Sequence, residues 1–155
     1  MDWANVNWGN LLFGFSGRIG RAQCWFASIV IGAVSLATFV LAAMAGGLES
    51  IAGLAAIAVV YIGSYFCLIA VGCKRLHDRD KSGWWLLLFY LVPSALYLAI
   101  GAIQMDEEPQ VGTLAFLAAA GTAALAIGIW YFVEVYCLRG SAGPNRFGPD
   151  PLAPK

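Results

Sequence analysis

Four long stretches of this chain carry no charged residue: 22–48, 50–73, 83–104 and 110–133. A helix needs about 20 consecutive apolar residues to cross the hydrocarbon of a bilayer, and each stretch supplies them. Hydrocarbon offers a peptide group no hydrogen-bond partner, so a crossing segment must satisfy its own backbone, as a helix does turn by turn. Composition agrees. The chain is 61% hydrophobic and 12% charged, where an ordinary soluble domain is about 25% charged. A soluble fold of this length cannot hide that much apolar surface. The expected fold is all-α, an integral-membrane four-helix bundle with spans at about 24–45, 51–73, 83–104 and 111–137. A single domain, 1–155, accounts for the length.

The segments between spans have their own signals. In the N-terminal segment, 1–21, Trp8, Leu11, Leu12 and Phe15 share a helical face, the pattern of a short helix lying in the membrane interface. Gly9 and Gly14 leave an aromatic-anchored loop as the alternative. Gly46-Gly47 ends the first span, and Glu49 marks a tight hairpin. Residues 74–82 are the central loop, and Ser82 is placed to cap the third helix with its hydroxyl. Pro93 falls inside that helix, where a proline removes one backbone hydrogen bond and predicts a kink. On the fourth span Ala120, Ala124 and Gly128 have the small-residue spacing that lets helix backbones approach in lipid. The tail, 138–155, is a succession of glycine and proline turn signals and is expected to fold as turns. No cleavable signal peptide is expected, because Asp2 stands where a basic cluster would and the first apolar run is too long.

The zero net charge hides an asymmetry. Four spans put both termini and the central loop on one side. All nine basic residues (Arg18, Arg21, Lys74, Arg75, Arg79, Lys81, Arg139, Arg146 and Lys155) then share that side with five acids, a net +4. The opposite loops hold Glu49, Asp106, Glu107 and Glu108, a net −4. Basic residues are retained on the cytoplasmic side, so the chain is expected to be a multi-pass protein of a bacterial inner membrane with both termini cytoplasmic.

Three separated motifs carry a resemblance. They are Gly17-Arg18-Ile19-Gly20-Arg21 with Trp25, then Arg75-Leu76-His77-Asp78 with Ser82-Gly83-Trp84-Trp85, then Gly143-Pro144-Asn145-Arg146-Phe147-Gly148-Pro149-Asp150-Pro151. In this order they resemble the domain-of-unknown-function family 805, small bacterial inner-membrane proteins with four predicted helices. The likeness runs from about Phe15 to Pro151. Two positions depart from it. Lys74-Arg75 replaces the family's usual Arg-Arg, keeping the charge without the planar fork, and the tail opens with Arg139-Gly140-Ser141. The resemblance implies a fold and a location, and no established activity.

The topology brings these motifs to one membrane surface, and two readings stay open for Arg18, Arg21, Arg75, His77, Asp78, Asn145, Arg146 and Asp150. In one, the acids pair with the arginines and tie loop and tail to the bundle, a structural network. In the other, the arginines grip the phosphate of an anionic lipid headgroup, which lies at that depth. His77 is the only histidine, and Cys24, Cys73 and Cys137 lack the spacing of a zinc site. No metal and no other cofactor is expected. Glu134 is the one acid within a span. Arg139, five positions on, faces away from it, so a structural partner in Lys74 or Arg75 is expected. A small transporter or channel subunit using Glu134 is the alternative function.

Trp25, Trp84 and Trp85, with Trp3 and Trp8, suit an interfacial aromatic belt. A non-enzymatic role is expected, since no nucleophile motif or nucleotide loop accompanies His77 and Asp78. The partners expected are the bilayer, an anionic phospholipid, and a second copy or a membrane partner protein. Nucleic acid is not expected.

Overall fold

The computed structural model describes residues 6–103 and 111–153. Asp2, Trp3, the acidic loop Asp106-Glu107-Glu108-Pro109 and Lys155 lie outside the described residues. The fold is all-α. The first element is the short helix α1 (Trp8–Phe13). Asn7 caps it by accepting the Asn10 N–H at 3.0 Å, one of the orphan donors of a first helical turn. So short a helix is marginal alone. It is held by Leu11, buried against the bundle, and by Trp8 against Phe26 with ring centroids 5.8 Å apart.

α2 (Arg21–Met44) and α3 (Ile51–Asp78) form a hairpin. Gly46 reverses the chain at φ +69°, a left-handed conformation that suits a residue without Cβ. A 3-10 turn, Gly47–Glu49, follows, and the Ser50 hydroxyl caps α3 by accepting the Gly53 N–H at 3.0 Å. α4 (Trp85–Ile103) runs through Pro93 and packs along α5 (Val111–Phe132), which ends in a π-helical turn, Val133–Cys137. Among the described residues three helices, Arg21–Met44, Ile51–Asp78 and Gly112–Cys137, are long and apolar enough to cross a membrane, and α4 is a shorter apolar helix.

The central loop is shorter than expected. α3 does not stop at Cys73 but continues through Lys74-Arg75-Leu76-His77-Asp78. At 28 residues it is about 42 Å long, well beyond the roughly 30 Å of hydrocarbon, so its charged end stands clear of the apolar layer. Charge alone does not end a helix. The stop comes at Asp80, in the left-handed region at φ +57°. There the Lys81 N–H reaches back to the Leu76 carbonyl at 2.9 Å and the Asp80 N–H to that of His77 at 3.0 Å, the paired bonds of a Schellman C-cap. α4 correspondingly begins at Trp85 rather than Gly83, with the Ser82 hydroxyl accepting the Trp84 N–H at 3.4 Å.

The two helix pairs meet at the basic end, where α3 touches both α4 and the π turn. The core sits there: Cys24 and Ala27 from α2, Val71 and Leu76 from α3, Phe89 from α4, and Val135. On α5, Ala120 and Ala124 are buried, but Gly128 is exposed and the packed face continues through Ile127 and Tyr131. A helix of 3.6 residues per turn drifts off a strict four-residue spacing.

Candidate functional site: a basic clasp at one end of the bundle

Asp78, the last residue of α3, is 3% exposed and holds two guanidinium groups. Its Oδ1 accepts from Arg18 Nε at 3.1 Å and Nη2 at 3.0 Å, and its Oδ2 accepts from Arg75 Nη1. Arg75 reaches this carboxylate because helical geometry places residues three apart side by side. Arg18 arrives from the turn before α2. Its remaining N–H groups go to the tail: Nη1 donates to the carbonyls of Gly143 at 2.7 Å and Gly148 at 3.3 Å, and Nη2 to that of Ser141 at 2.7 Å. The guanidinium is thus fully engaged, which is the condition for burying a charge at tolerable cost.

Arg75 is completely buried. Besides Asp78 it donates to the carbonyls of Val135, at 2.8 Å, and Leu138. These belong to the end of α5, where the last turns have carbonyls without helical partners and the helix dipole is negative. The π turn gathers further donors from α2: Arg21 Nη1 reaches the Cys137 carbonyl at 3.1 Å and the Trp25 indole N–H that of Tyr136 at 3.3 Å. Arg75 therefore ties the end of α3 to the end of α5, and Arg21 and Trp25 add α2 to the same turn.

The tail closes over this centre. Ser141 donates its N–H at 2.8 Å and its hydroxyl at 3.1 Å to the Asp78 carbonyl. Asn145 Nδ2 donates to the His77 carbonyl at 2.9 Å, while its Oδ1 accepts the Phe147 N–H at 2.9 Å. Phe147 stacks on the His77 ring at 3.9 Å and 4°. Asp150 braces the turn by accepting from the N–H groups of Leu152 at 2.9 Å and Gly143 at 3.1 Å. Those two donors hold its carboxyl below the ordinary value. Arg146 pairs with Asp80 at 3.2 Å, with both side chains exposed, an arrangement worth at most about 1 kcal/mol.

Gly140 has a role that its turn-rich surroundings do not advertise. A Cβ there would lie 2.0 Å from Asp78 Oδ2, so only glycine lets the tail pass the carboxylate. Gly83 is similar, with Cys73 Sγ 2.4 Å from where its Cβ would be.

His77 and Asp78 do not bond to each other's side chains. The His77 Nδ1 donates to the Gly17 carbonyl at 3.2 Å, which leaves Nε2 as an acceptor 3.5 Å from the Cys73 thiol. Among the described residues no three His, Cys, Asp or Glu side chains converge as metal ligands. Glu134 is 4% exposed and pairs with Arg79 Nε at 2.9 Å and Lys81 Nζ at 2.8 Å, not with Lys74 or Arg75. Lys74 lies on another face of α3, where its ammonium caps α1 through the carbonyls of Asn10 and Leu11. The extra turn of α3 carries Arg79 and Lys81 round to α5, where Glu134 meets them. Lys81 also lies over the Trp85 ring at 5.4 Å, while Trp84 is 76% exposed.

The family model described as protein of unknown function (DUF805) matches residues 12–149. The inner membrane protein YhaH of Escherichia coli K12 is 30% identical over 155 residues, 97% of each chain. The inner membrane protein YhaI of the same strain is 27% identical over 139 residues, 89% of this chain and 86% of that one. The uncharacterized protein YiiR of that strain is 29% identical over 143 residues, 90% of this chain and 86% of its own. No solved structure matches.

Proposed function

Because this chain belongs to the DUF805 family, whose description assigns no activity, we propose from its own surface that it is a non-catalytic, multi-pass inner-membrane protein whose basic end faces the cytoplasm and binds anionic lipid headgroups. Arg18, Arg21, Lys74, Arg75, Arg79, Lys81, Arg139 and Arg146 all belong to that end, while Glu49 lies in the opposite hairpin. The positive-inside bias therefore supports cytoplasmic termini.

One observation carries the headgroup reading. The buried cations Arg18 and Arg75 are held by Asp78, but an outer arc is not neutralised. Arg21 donates to the Cys137 carbonyl, and Arg139 follows two residues on with no ion pair or side-chain hydrogen bond among the described residues. Arg79 then joins the Arg139 carbonyl at 3.1 Å to Glu134, beside Lys81. Glu134 thus offsets two of these four cations, Arg79 and Lys81, while neither Arg21 nor Arg139 pairs with a carboxylate among the described residues; Trp25 and Trp85 flank the group. Such a cluster at headgroup depth attracts phosphate, through arginine forks above all. The transport alternative has weaker support, since the Glu134 carboxylate is already engaged by two cations.

Native mass spectrometry of gently extracted protein tests the proposal. Wild type is expected to retain more phosphatidylglycerol or cardiolipin than phosphatidylethanolamine, and Arg21→Gln/Arg139→Gln to lose at least one bound anionic lipid. Equal adduct numbers in the two proteins would overturn it.

A further inference from the structure

Lys74 is 2% exposed. Arg18 and Arg75 share Asp78, and Glu134 has Arg79 and Lys81. Lys74 alone among these buried charges pairs with no carboxylate among the described residues. Its ammonium donates to two carbonyls, of Asn10 and Leu11, and an ammonium has three N–H groups. A buried charge without a counter-ion is costly.

Lys74 lines a cleft of about 730 Å³ between α1, the turn before α2, and the tail at Pro151–Ala153. That volume is in the range of small-molecule sites. Its wall has two characters. Asn7, Asn10 and Gln23 are polar, whereas Leu11, Ile19 and Leu152 are apolar, and no acidic residue among the described residues lines it. Through one wall runs Ser16-Gly17-Arg18-Ile19, whose backbone N–H groups donate to no acceptor among the described residues. Ile19 is 5% exposed and Gly17 sits at φ +89°. Successive amides around a left-handed residue make a concavity suited to an anion.

We infer that this cleft binds an amphiphile through its anionic head, a phosphate or a carboxylate, with the Lys74 ammonium as counter-ion and the amides of the 16–19 turn as hydrogen-bond donors. The apolar wall takes the first carbons of its chain. This site is separate from the outer arc at Arg21 and Arg139 and does not depend on it.

The test uses the full chain in a neutral detergent, following thermal unfolding against dioctanoyl-phosphatidylglycerol, dioctanoyl-phosphatidylcholine, octanoate and inorganic phosphate. A saturable rise in Tm with phosphatidylglycerol or octanoate and none with phosphatidylcholine is expected. An equal rise with inorganic phosphate would keep Lys74 as counter-ion and assign the head to a soluble anion. Lys74→Met should weaken the response at least tenfold. Ala153→Trp, at an exposed position on the cleft rim, should do the same by blocking entry, and it decides the matter if Lys74→Met fails to fold. Arg21→Gln/Arg139→Gln should leave the response unchanged, which separates this site from the arc. Absence of saturation with every probe, or wild-type responses in the folded variants, would overturn the inference.

Discussion

The two halves of α3 are one continuous helix in two different environments. From Ile51 to Phe66 no side chain is fully buried, whereas from Cys67 to Asp78 each is buried or half-buried. The first half turns aliphatic and aromatic groups toward lipid. Lipid tails are as apolar as leucine, so packing there gains little hydrophobic free energy and relies on close contact and scattered hydrogen bonds. The Ser35 and Ser64 hydroxyls, 2.8 Å apart across α2 and α3, are such a bond. The second half carries the charges, and there each buried polar side-chain atom among the described residues has a partner. In this chain the specific cohesion lies where polar groups converge, not where the sequence is most apolar.

The sharpest way to break that comparison is at Asp78. Asp78→Asn keeps the shape but leaves Arg18 and Arg75 buried without a counter-charge, a loss of about 3–5 kcal/mol. Detergent-solubilised protein should unfold at a much lower temperature, and an unchanged Tm would show that the clasp is not the cohesive end. Gly140→Ala comes next. Its Cβ would displace the Asp78 carboxylate, an overpacking cost of about 1–3 kcal/mol. Because both changes act on the same ion pairs, the double variant should lose less than the sum of the two, and strict additivity would place Gly140 outside the clasp.

Ser64→Ala samples the lipid-facing half and should cost only about 0.6 kcal/mol, the average for such a membrane hydrogen bond. A loss as large as that of Asp78→Asn would erase the contrast between the halves. The smallest effect is a local one at the tail. The Asp150 carboxyl titrates below its ordinary 3.8 because the Leu152 and Gly143 N–H groups favour its charged form. Its contribution is therefore full above the ordinary value and disappears as pH falls through the lowered one. Hydrogen exchange at Gly143 and Leu152 should be protected at neutral pH and quicken, relative to the intrinsic rate, only in strong acid. Protection lost already near pH 6 would assign the brace to another group.

Much of the fold is legible in the sequence. Uninterrupted apolar runs mark helices in lipid because an unpaired backbone has no hydrogen-bond partner there, and the Gly46-Gly47 hairpin follows from local chemistry. The membership of the clasp was legible in part. Arg18, Arg75, Asp78 and Asn145 stood out as polar groups in an apolar chain. Gly140 and the carbonyls of Val135 and Leu138 did not, since a backbone acceptor at a π turn has no residue-type signal, and one glycine among many tail glycines does not reveal what passes beside it.

The sequence by itself determined the all-α membrane fold and the gathering of charge at one end, because both depend on the solvent each segment tolerates. Only the tertiary structure decided where α3 stops, that Glu134 meets Arg79 and Lys81, and that Lys74 pairs with no acid among the described residues. Those outcomes depend on which groups from distant segments reach the same few ångströms. That is a property of packing, which spacing along one chain does not encode.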